Sequence, residues 1–277
     1  MKLLAFDTST ETLSVAVAHG GGLWQHTGAG GAQASATLIP TVLALLAQAG
    51  LTLADLDAIV FGRGPGAFTG LRIACAVAQG LAFGARGGQG VPVLPVDTLL
   101  AVAEEARWAA AGALGATGAA APGGGADDPL ARSAPCDVIA LLDARMDQVY
   151  AAHYRYHPSH PSIAAGSGAA GGASPAPQGA PRWTRLGDIQ LLAPEAVLRP
   201  EGAWLAGNAF AAYGPRLPEG PRIDALPTAA ALLRLAPALL AAGGAVPAEQ
   251  ALPLYVRDNV AKTTAERAAE RAAILQQ

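Results

Sequence analysis

One pattern occurs twice in the chain: an apolar strand ends in aspartate, and a polar turn and an alternating strand follow. The first copy covers Leu3–Asp7 and then residues 13–17, and the second covers residues 137–143 and then 149–156. Alternation of apolar and polar residues with a period of two is typical of a half-buried β-strand. Each copy therefore predicts a β-hairpin, with Asp7 and Asp143 at matching places. The repetition predicts two similar domains that face each other across a cleft.

Strands and helices alternate after the first hairpin. The apolar patterns predict strands at residues 23–26, 58–61 and 91–96, a helix that Ser35 caps, and helices that begin at about Leu71 and near Thr98. The order β-β-β-α-β-α-β-α predicts an α/β fold with mixed sheets flanked by helices, because parallel crossovers need helices. The same order occurs in the ribonuclease-H-like unit of the actin-like and sugar kinase superfamily, so by analogy we expect two such domains.

Composition suggests how the domains are divided along the chain. We expect an N-terminal domain at residues 1–105, completed by an apolar helix at about 226–243, and a second, smaller domain at 106–225. Residues 244–277 are predicted to form an extended C-terminal tail. The segments at about 109–132 and 157–182 are rich in Ala, Gly, Ser and Pro. Such segments bury too little apolar surface to offset the entropy of ordering, which predicts flexible insertions.

The overall charge argues against a protein that grips nucleic acid alone. Of the 277 residues, 52% are hydrophobic and 14% charged, and the net charge is −3, whereas nucleic-acid-binding domains carry a basic patch. Cys75 and Cys136 form no C-x-x-C pair, and the histidines show no metal-binding spacing. We expect two buried thiols, no metal, no cofactor, no secretory signal and no membrane span, hence a cytoplasmic protein.

The glycine-rich loop at residues 62–70 leaves two alternatives open. Its glycines, among them Gly64 and Gly66, permit close backbone approach, and Thr69 is positioned to cap the next helix. A loop of this kind before a helix N-terminus can bind an anion, although this one lacks the Gly-Lys-Ser/Thr ending of a Walker loop. The other alternative is a purely structural turn.

The polar residues after the two strands have a functional and a structural interpretation. In actin and the sugar kinases, carboxylates on the first hairpins hold the metal of a metal–nucleotide complex. Asp7, Thr8, Ser9 and Asp143, with a loop at Gly207, would then be a vestigial nucleotide site. The simpler alternative is that each aspartate closes a turn, which aspartate does readily.

Small residues recur every fourth position in the helix after the glycine-rich loop. Gly70, Ala74, Ala78 and Ala82 form one stripe, and a second is formed by Ala76, Gly80 and Gly84. Such stripes let another element approach closely. That element is either the protein's own sheet or a helix of another chain, and two stripes leave room for both.

Four motifs resemble those of the bacterial TsaB family: LAFDTST at residues 4–10, GRGPGAFTGLR at 62–72, LDARM at 142–146 and LYVRDN at 254–259. The resemblance spans nearly the whole chain apart from the two insertions. It implies the actin-like fold and a non-catalytic scaffold subunit in the transfer of threonylcarbamoyl to the adenosine beside the tRNA anticodon. The implied partners are a TsaD-like catalytic subunit and a TsaE-like ATPase, with a homodimer when the chain is alone and tRNA bound only indirectly.

The resemblance also implies that the first two helices form the partner interface. Its expected residues are the first stripe and adjoining positions on both helices: Leu38, Val42, Gly70, Leu71, Ala74, Cys75, Ala78 and Ala82. Family members often carry a histidine at the start of the first helix, where this chain has Ala34 and Ser35.

The sequence leaves two alternatives to a scaffold subunit. An active nucleotide-dependent kinase or ATPase of the same fold would need a complete site around Asp7, Asp143 and Gly207. A metalloprotease is suggested only by an old name of the wider family, and the absence of a histidine pair argues against it.

Overall fold

The computed structural model describes residues 1–114, 135–158 and 182–257. Residues 115–134, 159–181 and 258–277 lie outside it. The predicted flexible insertions therefore fall mostly outside the described residues, as does the end of the predicted tail.

The first sheet has five strands, in the order β3-β2-β1-β4-β5. Strands β1 to β3 are antiparallel, whereas β1, β4 and β5 are parallel, which gives a mixed sheet. The strands are β1 (Leu3–Asp7), β2 (Thr12–His19), β3 (Gly22–Ala29), β4 (Ala58–Gly64) and β5 (Val93–Asp97).

Helices cover both faces of the first sheet because β1 is apolar on both sides. Leu4 and Phe6 belong to a core with helices α1 (Ala34–Gln48) and α2 (Phe68–Gly84). Leu3 and Ala5 point to the other face and pack with α5 (Ala229–Ala241). Strand residues alternate between faces, so a continuous apolar strand needs cover on both.

The second sheet repeats the plan of the first. Its main order is β11-β10-β6-β7-β8, with β9 paired to β7. Strands β6 and β7 form the antiparallel hairpin and β10 joins β6 in parallel, as β4 joins β1. These arrangements confirm the predicted fold class. The elements are β6 (Cys136–Arg145), β7 (Gln148–His157), β8 (Arg182–Arg185), β9 (Gln190–Leu192), β10 (Trp204–Gly207), the short helix α4 (Phe210–Tyr213) and β11 (Arg222–Asp224).

Helix α3 (Thr98–Leu114) connects the two sheets. Leu99, Val102 and Ala106 are fully buried in a core with residues of β6, β7 and β10. Glu104, 3% exposed, accepts hydrogen bonds from Arg234 of α5 at 3.0 Å and from Trp183 of β8 at 3.0 Å. The predicted domain boundaries remain a prediction.

The segment at residues 251–257, here called the strap, crosses from the first sheet to the second. The Leu254 amide donates to the carbonyl oxygen of Arg63 over 2.8 Å. Further along, the Arg257 guanidinium donates to the carbonyl oxygen of Ala144 at 3.1 Å and to Gln148 Oε1 at 2.8 Å. The predicted tail is therefore tied to the body of the protein as far as Arg257.

Both predicted helix caps were wrong. Helix α1 has Gln33 at its cap position, and the Ser35 hydroxyl instead donates to the carbonyl oxygen of Ala32 over 2.9 Å. Helix α2 begins at Phe68 after Ala67, so Thr69 lies inside the first turn and caps nothing.

Helices α1 and α2, with their adjoining 3-10 turns, are long and apolar enough to cross a membrane by length and composition alone. Core helices pass the same test, and here each helix packs one face against the first sheet.

Candidate functional site

The turn after β1 is sealed inside the protein. Asp7 has no exposed surface, and its Oδ1 accepts hydrogen bonds from the Ser9 amide at 2.9 Å and the Ser9 hydroxyl at 2.7 Å. Its Oδ2 is buried without a hydrogen-bond partner. Burial raises the pKa of Asp7 from 3.8 to about 6, because the charged form is poorly solvated there, and the Ser9 hydrogen bonds oppose part of this rise.

The glycine-rich loop is what seals this turn. A Cβ on Gly62 would lie 1.7 Å from Asp7 Oδ2, and one on Gly70 would lie 1.8 Å from the carbonyl oxygen of Thr8. The Thr8 hydroxyl donates to the carbonyl oxygen of Gly70 over 2.7 Å.

The middle of the loop is equally crowded. A Cβ on Gly66 would lie 2.5 Å from the carbonyl oxygen of Ser9, and one on Gly64 would lie 2.7 Å from that of Leu254. The protein's own backbone thus occupies the space that an anion would need. In this conformation the loop packs as a structural turn, and its role in an anion site remains a prediction.

The second hairpin is more open. Asp143, whose side chain is 11% exposed, accepts hydrogen bonds at Oδ1 from the Arg145 amide at 2.7 Å and from the Tyr213 hydroxyl at 3.0 Å. The Asp143 amide donates to Asn208 Oδ1 over 2.9 Å, which brings the loop after Gly207 beside Asp143. A Cβ on Gly207 would lie 1.7 Å from the carbonyl oxygen of Leu141, so glycine is required for this close approach.

The predicted nucleotide residues therefore divide into two groups. Asp143 and Gly207 lie side by side, and Asp7, Thr8 and Ser9 lie together under the glycine-rich loop. Within the described residues no hydrogen bond or ion pair joins Asp7 to Asp143, and none of the described residues forms a cluster of three or more metal-ligating side chains. The vestigial nucleotide site remains a prediction.

The residues expected at a partner interface lie on the inner side of their helices. Ala74, Ala78 and Ala82 are fully buried in the core with β-strand residues such as Phe6 and Phe61. The chain's own sheet already covers these side chains, and the partner interface on these two helices remains a prediction. The same burial applies to all eight: Leu38, Val42, Gly70, Leu71, Ala74, Cys75, Ala78 and Ala82. Cys136, by contrast, is only half-buried.

The outer sides of the same helices carry exposed apolar residues. Ile39 is 42% exposed and Leu43 50% on α1, and Phe83 is 53% exposed on α2. The second stripe of small residues, Ala76, Gly80 and Gly84, is exposed as well. A groove of about 460 Å³ lies at the ends of the two helices and is lined mainly by Leu43, Leu46, Ala47, Leu51, Leu53, Gly84, Ala85 and Arg86.

Sequence reasoning missed the strap as a site feature. The motif at residues 254–259 is visible in the sequence, yet its local pattern does not show where an extended segment lies in the fold. Its hydrogen bonds connect Leu254 with Arg63 and Arg257 with Ala144, positions more than one hundred residues apart in the chain.

Comparison with known proteins supplies the family context. The family described as TsaD, tRNA N6-adenosine threonylcarbamoyltransferase, matches residues 30–170. The solved structure titled YeaZ from Pseudomonas aeruginosa is 36% identical, with a TM-score of 0.68, and the alignment covers 92% of this chain and 99% of that one.

Curated relatives match over a shorter length. The tRNA threonylcarbamoyladenosine biosynthesis protein TsaB of Escherichia coli is 36% identical over 155 residues, 56% of this chain and 55% of that protein. TsaB of Haemophilus influenzae is 35% identical over 150 residues, 54% of this chain and 52% of that protein. The chain thus spans about half the length of the curated relatives it matches.

Proposed function

Because the chain belongs to the TsaB family, we propose that it is a non-catalytic partner subunit in threonylcarbamoyladenosine biosynthesis on tRNA. It pairs with a TsaD-like catalytic subunit, is joined by a TsaE-like ATPase, and meets tRNA only through the complex, in the cytoplasm. Alone, it pairs with a second copy of itself.

The observation that carries this proposal is the uncovered apolar face of helices α1 and α2. Ile39, Leu43 and Phe83 are each about half exposed, and Leu43 also lines the apolar groove. Contiguous exposed apolar surface on a protein of this size marks an interaction site. The exposed small residues of α2 let another backbone come close.

The sealed turn at Asp7 supports a subunit without its own chemistry. A metal–nucleotide complex needs an accessible carboxylate, whereas Asp7 has no exposed surface and lies under the glycine-rich loop. The competing kinase or ATPase hypothesis predicts magnesium-dependent ATP turnover by the isolated chain that Asp7→Ala abolishes. Absence of turnover would remove that hypothesis.

Partner binding can be tested on the outer face of α1. We expect Leu43→Asp to weaken pairing with the cognate TsaD-like subunit at least about tenfold, because a buried, unpaired carboxylate is costly. Sedimentation of the mixture gives the fraction paired. The control is Leu198→Asp, the same change at a position 83% exposed elsewhere.

Equal pairing by the native chain and both variants would exclude α1 as the interface. An Ala78→Trp variant is unsuited to the test, because Ala78 is fully buried in the chain's own core and the bulky side chain would damage the fold itself.

A further inference from the structure

A second exposed surface lies where the strap crosses the protein, well away from the outer face of α1. We call it the strap face and define it by five exposed residues from three distant parts of the chain: Phe68, Arg72, Arg145, Met146 and Tyr255. Phe68 is 46% exposed, Tyr255 43% and Met146 74%. These large side chains are exposed to solvent, and several of them also hold one another in place.

One half of the strap face is an ordered stack. The Arg72 guanidinium lies 3.9 Å from the centroid of the Phe68 ring, and the Tyr255 ring centroid lies 5.3 Å from that of Phe68. Arg72 Nε donates to the Tyr255 hydroxyl over 3.1 Å. Because the three side chains fix each other, little side-chain entropy remains to be lost on binding.

The other half is a strained turn presented to solvent. Arg145, Met146 and Asp147 all have positive φ angles, of 60°, 54° and 63°. Residues other than glycine adopt this conformation at a cost and keep it where surrounding contacts enforce it. The contacts here come from Arg257, which donates to the carbonyl oxygen of Ala144 and to Gln148 Oε1. Held in this way, Met146 and Arg145 project outward.

The two halves are close neighbours. Tyr255 belongs to the stack and Arg257 supports the turn, and two residues of chain span at most about 7 Å between Cα atoms. The strap therefore connects the stack to the turn over a short distance.

The charge of this surface is opposite to that of the chain as a whole. Among the described residues, Arg72 and Arg257 lie within salt-bridge distance of no carboxylate, whereas Arg145 pairs with Asp143 at 3.0 Å. Asp147, on the far side of the turn, is held by Arg216. Within the described residues, the two arginines of the strap face and the neighbouring Arg257 thus share one carboxylate partner, Asp143, in a chain of net charge −3.

We propose that the strap face binds an acidic surface of a protein partner. Exposed Arg, Tyr, Phe and Met without Lys or Glu is the composition of protein–protein interface centres, and ordered Tyr and Arg are the commonest anchors there. RNA is the less favoured occupant, because phosphate binding draws on many Lys and Arg side chains and this chain is acidic overall. The inference rests on the proposed function, in which the chain works inside a protein complex.

The test uses the full chain with two probes, the cognate TsaD-like subunit and the cognate TsaE-like ATPase, the latter added to the preformed pair. We expect the double change Arg72→Glu and Tyr255→Ala to weaken binding of one probe about tenfold or more, and added salt to weaken native binding. The controls are Lys2→Glu and Leu198→Ala, which make the same kinds of change at exposed sites elsewhere. Arg145→Glu, at a side chain 79% exposed, should act in the same direction and tests the turn without disturbing the stack.

The outcomes separate the two proposals. If native chain forms no complex with either probe, both proposals fail. If Leu43→Asp disrupts pairing while the strap-face variants bind both probes like the native chain, the proposed function stands and the strap-face inference is wrong. If the variants lose only tRNA binding by the isolated chain, the occupant is RNA and the inference is likewise overturned.

Discussion

At the scale of a single residue, the side chain of Asp7 serves the turn that it closes after β1. Its Oδ1 accepts two hydrogen bonds from Ser9, which hold the turn, while Oδ2 is left buried without a partner. A buried carboxylate in that state is poorly solvated, so the protonated form is favoured and the pKa rises to about 6. The hydrogen bonds to Asp7 thus fix the geometry of the turn, whereas the burial of its carboxylate lowers the free energy of unfolding at neutral pH.

The pH dependence of stability tests this assignment. A raised folded-state pKa contributes stability that is present below the unfolded pKa and is lost as pH rises through about 6. From about pH 5 to about pH 8, the native chain should lose roughly 1 kcal/mol relative to Asp7→Asn, which cannot ionise. Urea unfolding of both proteins across this range measures the difference, and parallel curves would contradict it.

At the scale of the element, helix α2 has two stripes of small residues with different surroundings. Ala74 and Ala78 lie against the sheet, whereas Gly80 lies on the exposed side. The four-residue spacing predicted both stripes correctly. It could not tell which faces the sheet, because the spacing of the two is the same and the choice depends on strands elsewhere in the chain.

A pair of glycine substitutions in this one helix should have opposite effects. Gly70→Ala should lower the free energy of unfolding by roughly 2 kcal/mol or more, because the new Cβ would lie 1.8 Å from the carbonyl oxygen of Thr8. Gly80→Ala should raise it by about 0.5–1 kcal/mol, since alanine favours the helix and no atom lies within 4 Å of the added Cβ. Thermal or urea unfolding of both variants measures the two changes in the free energy of unfolding. Equal changes would mean that the loop does not hold the turn in place.

The sequence could predict the features that depend on short, local patterns of residues. The apolar run of β1, the alternation in β2 and the apolar strand before Asp143 predicted both hairpins, and the order of helices and strands predicted the sheets. The caps failed, because the structure begins α2 at Phe68, three residues before the predicted start at Leu71. The sealing of Asp7 could not be predicted, since it depends on contacts with Gly62 and Gly70, more than fifty residues away.

At the scale of the whole molecule, three sets of polar contacts connect the two sheets within the residues that the structure describes. Asp97 pairs with Arg63 at 2.7 Å and with Arg185 at 2.9 Å. Glu104 joins α3 to α5 and β8, and the strap ends in the hydrogen bonds of Arg257. Most of these partners are part-buried, where a hydrogen bond to a charged group is stronger than at the surface.

Removing the strap's last contact should loosen the second hairpin. We expect Arg257→Ala to lower the free energy of unfolding by about 1–3 kcal/mol, because the turn at Ala144 loses its charged donor. Amide exchange in that turn should accelerate as well. Arg155→Ala is the control: the Arg155 side chain is 46% exposed in its pair with Asp137, so a loss of about 1 kcal/mol or less is expected. Equal losses would mean that the strap contributes no more than a surface pair.

Helix α5 has a consequence for how the chain matures on the ribosome. The strands of the first sheet are made by residue 97, but the helix that covers the face bearing Leu3 and Ala5 begins only at Ala229. Since synthesis runs from the N-terminus, that apolar face stays open until nearly all of the chain has emerged. The first sheet therefore cannot mature ahead of the second, and the nascent chain presents a hydrophobic surface to chaperones for most of its synthesis.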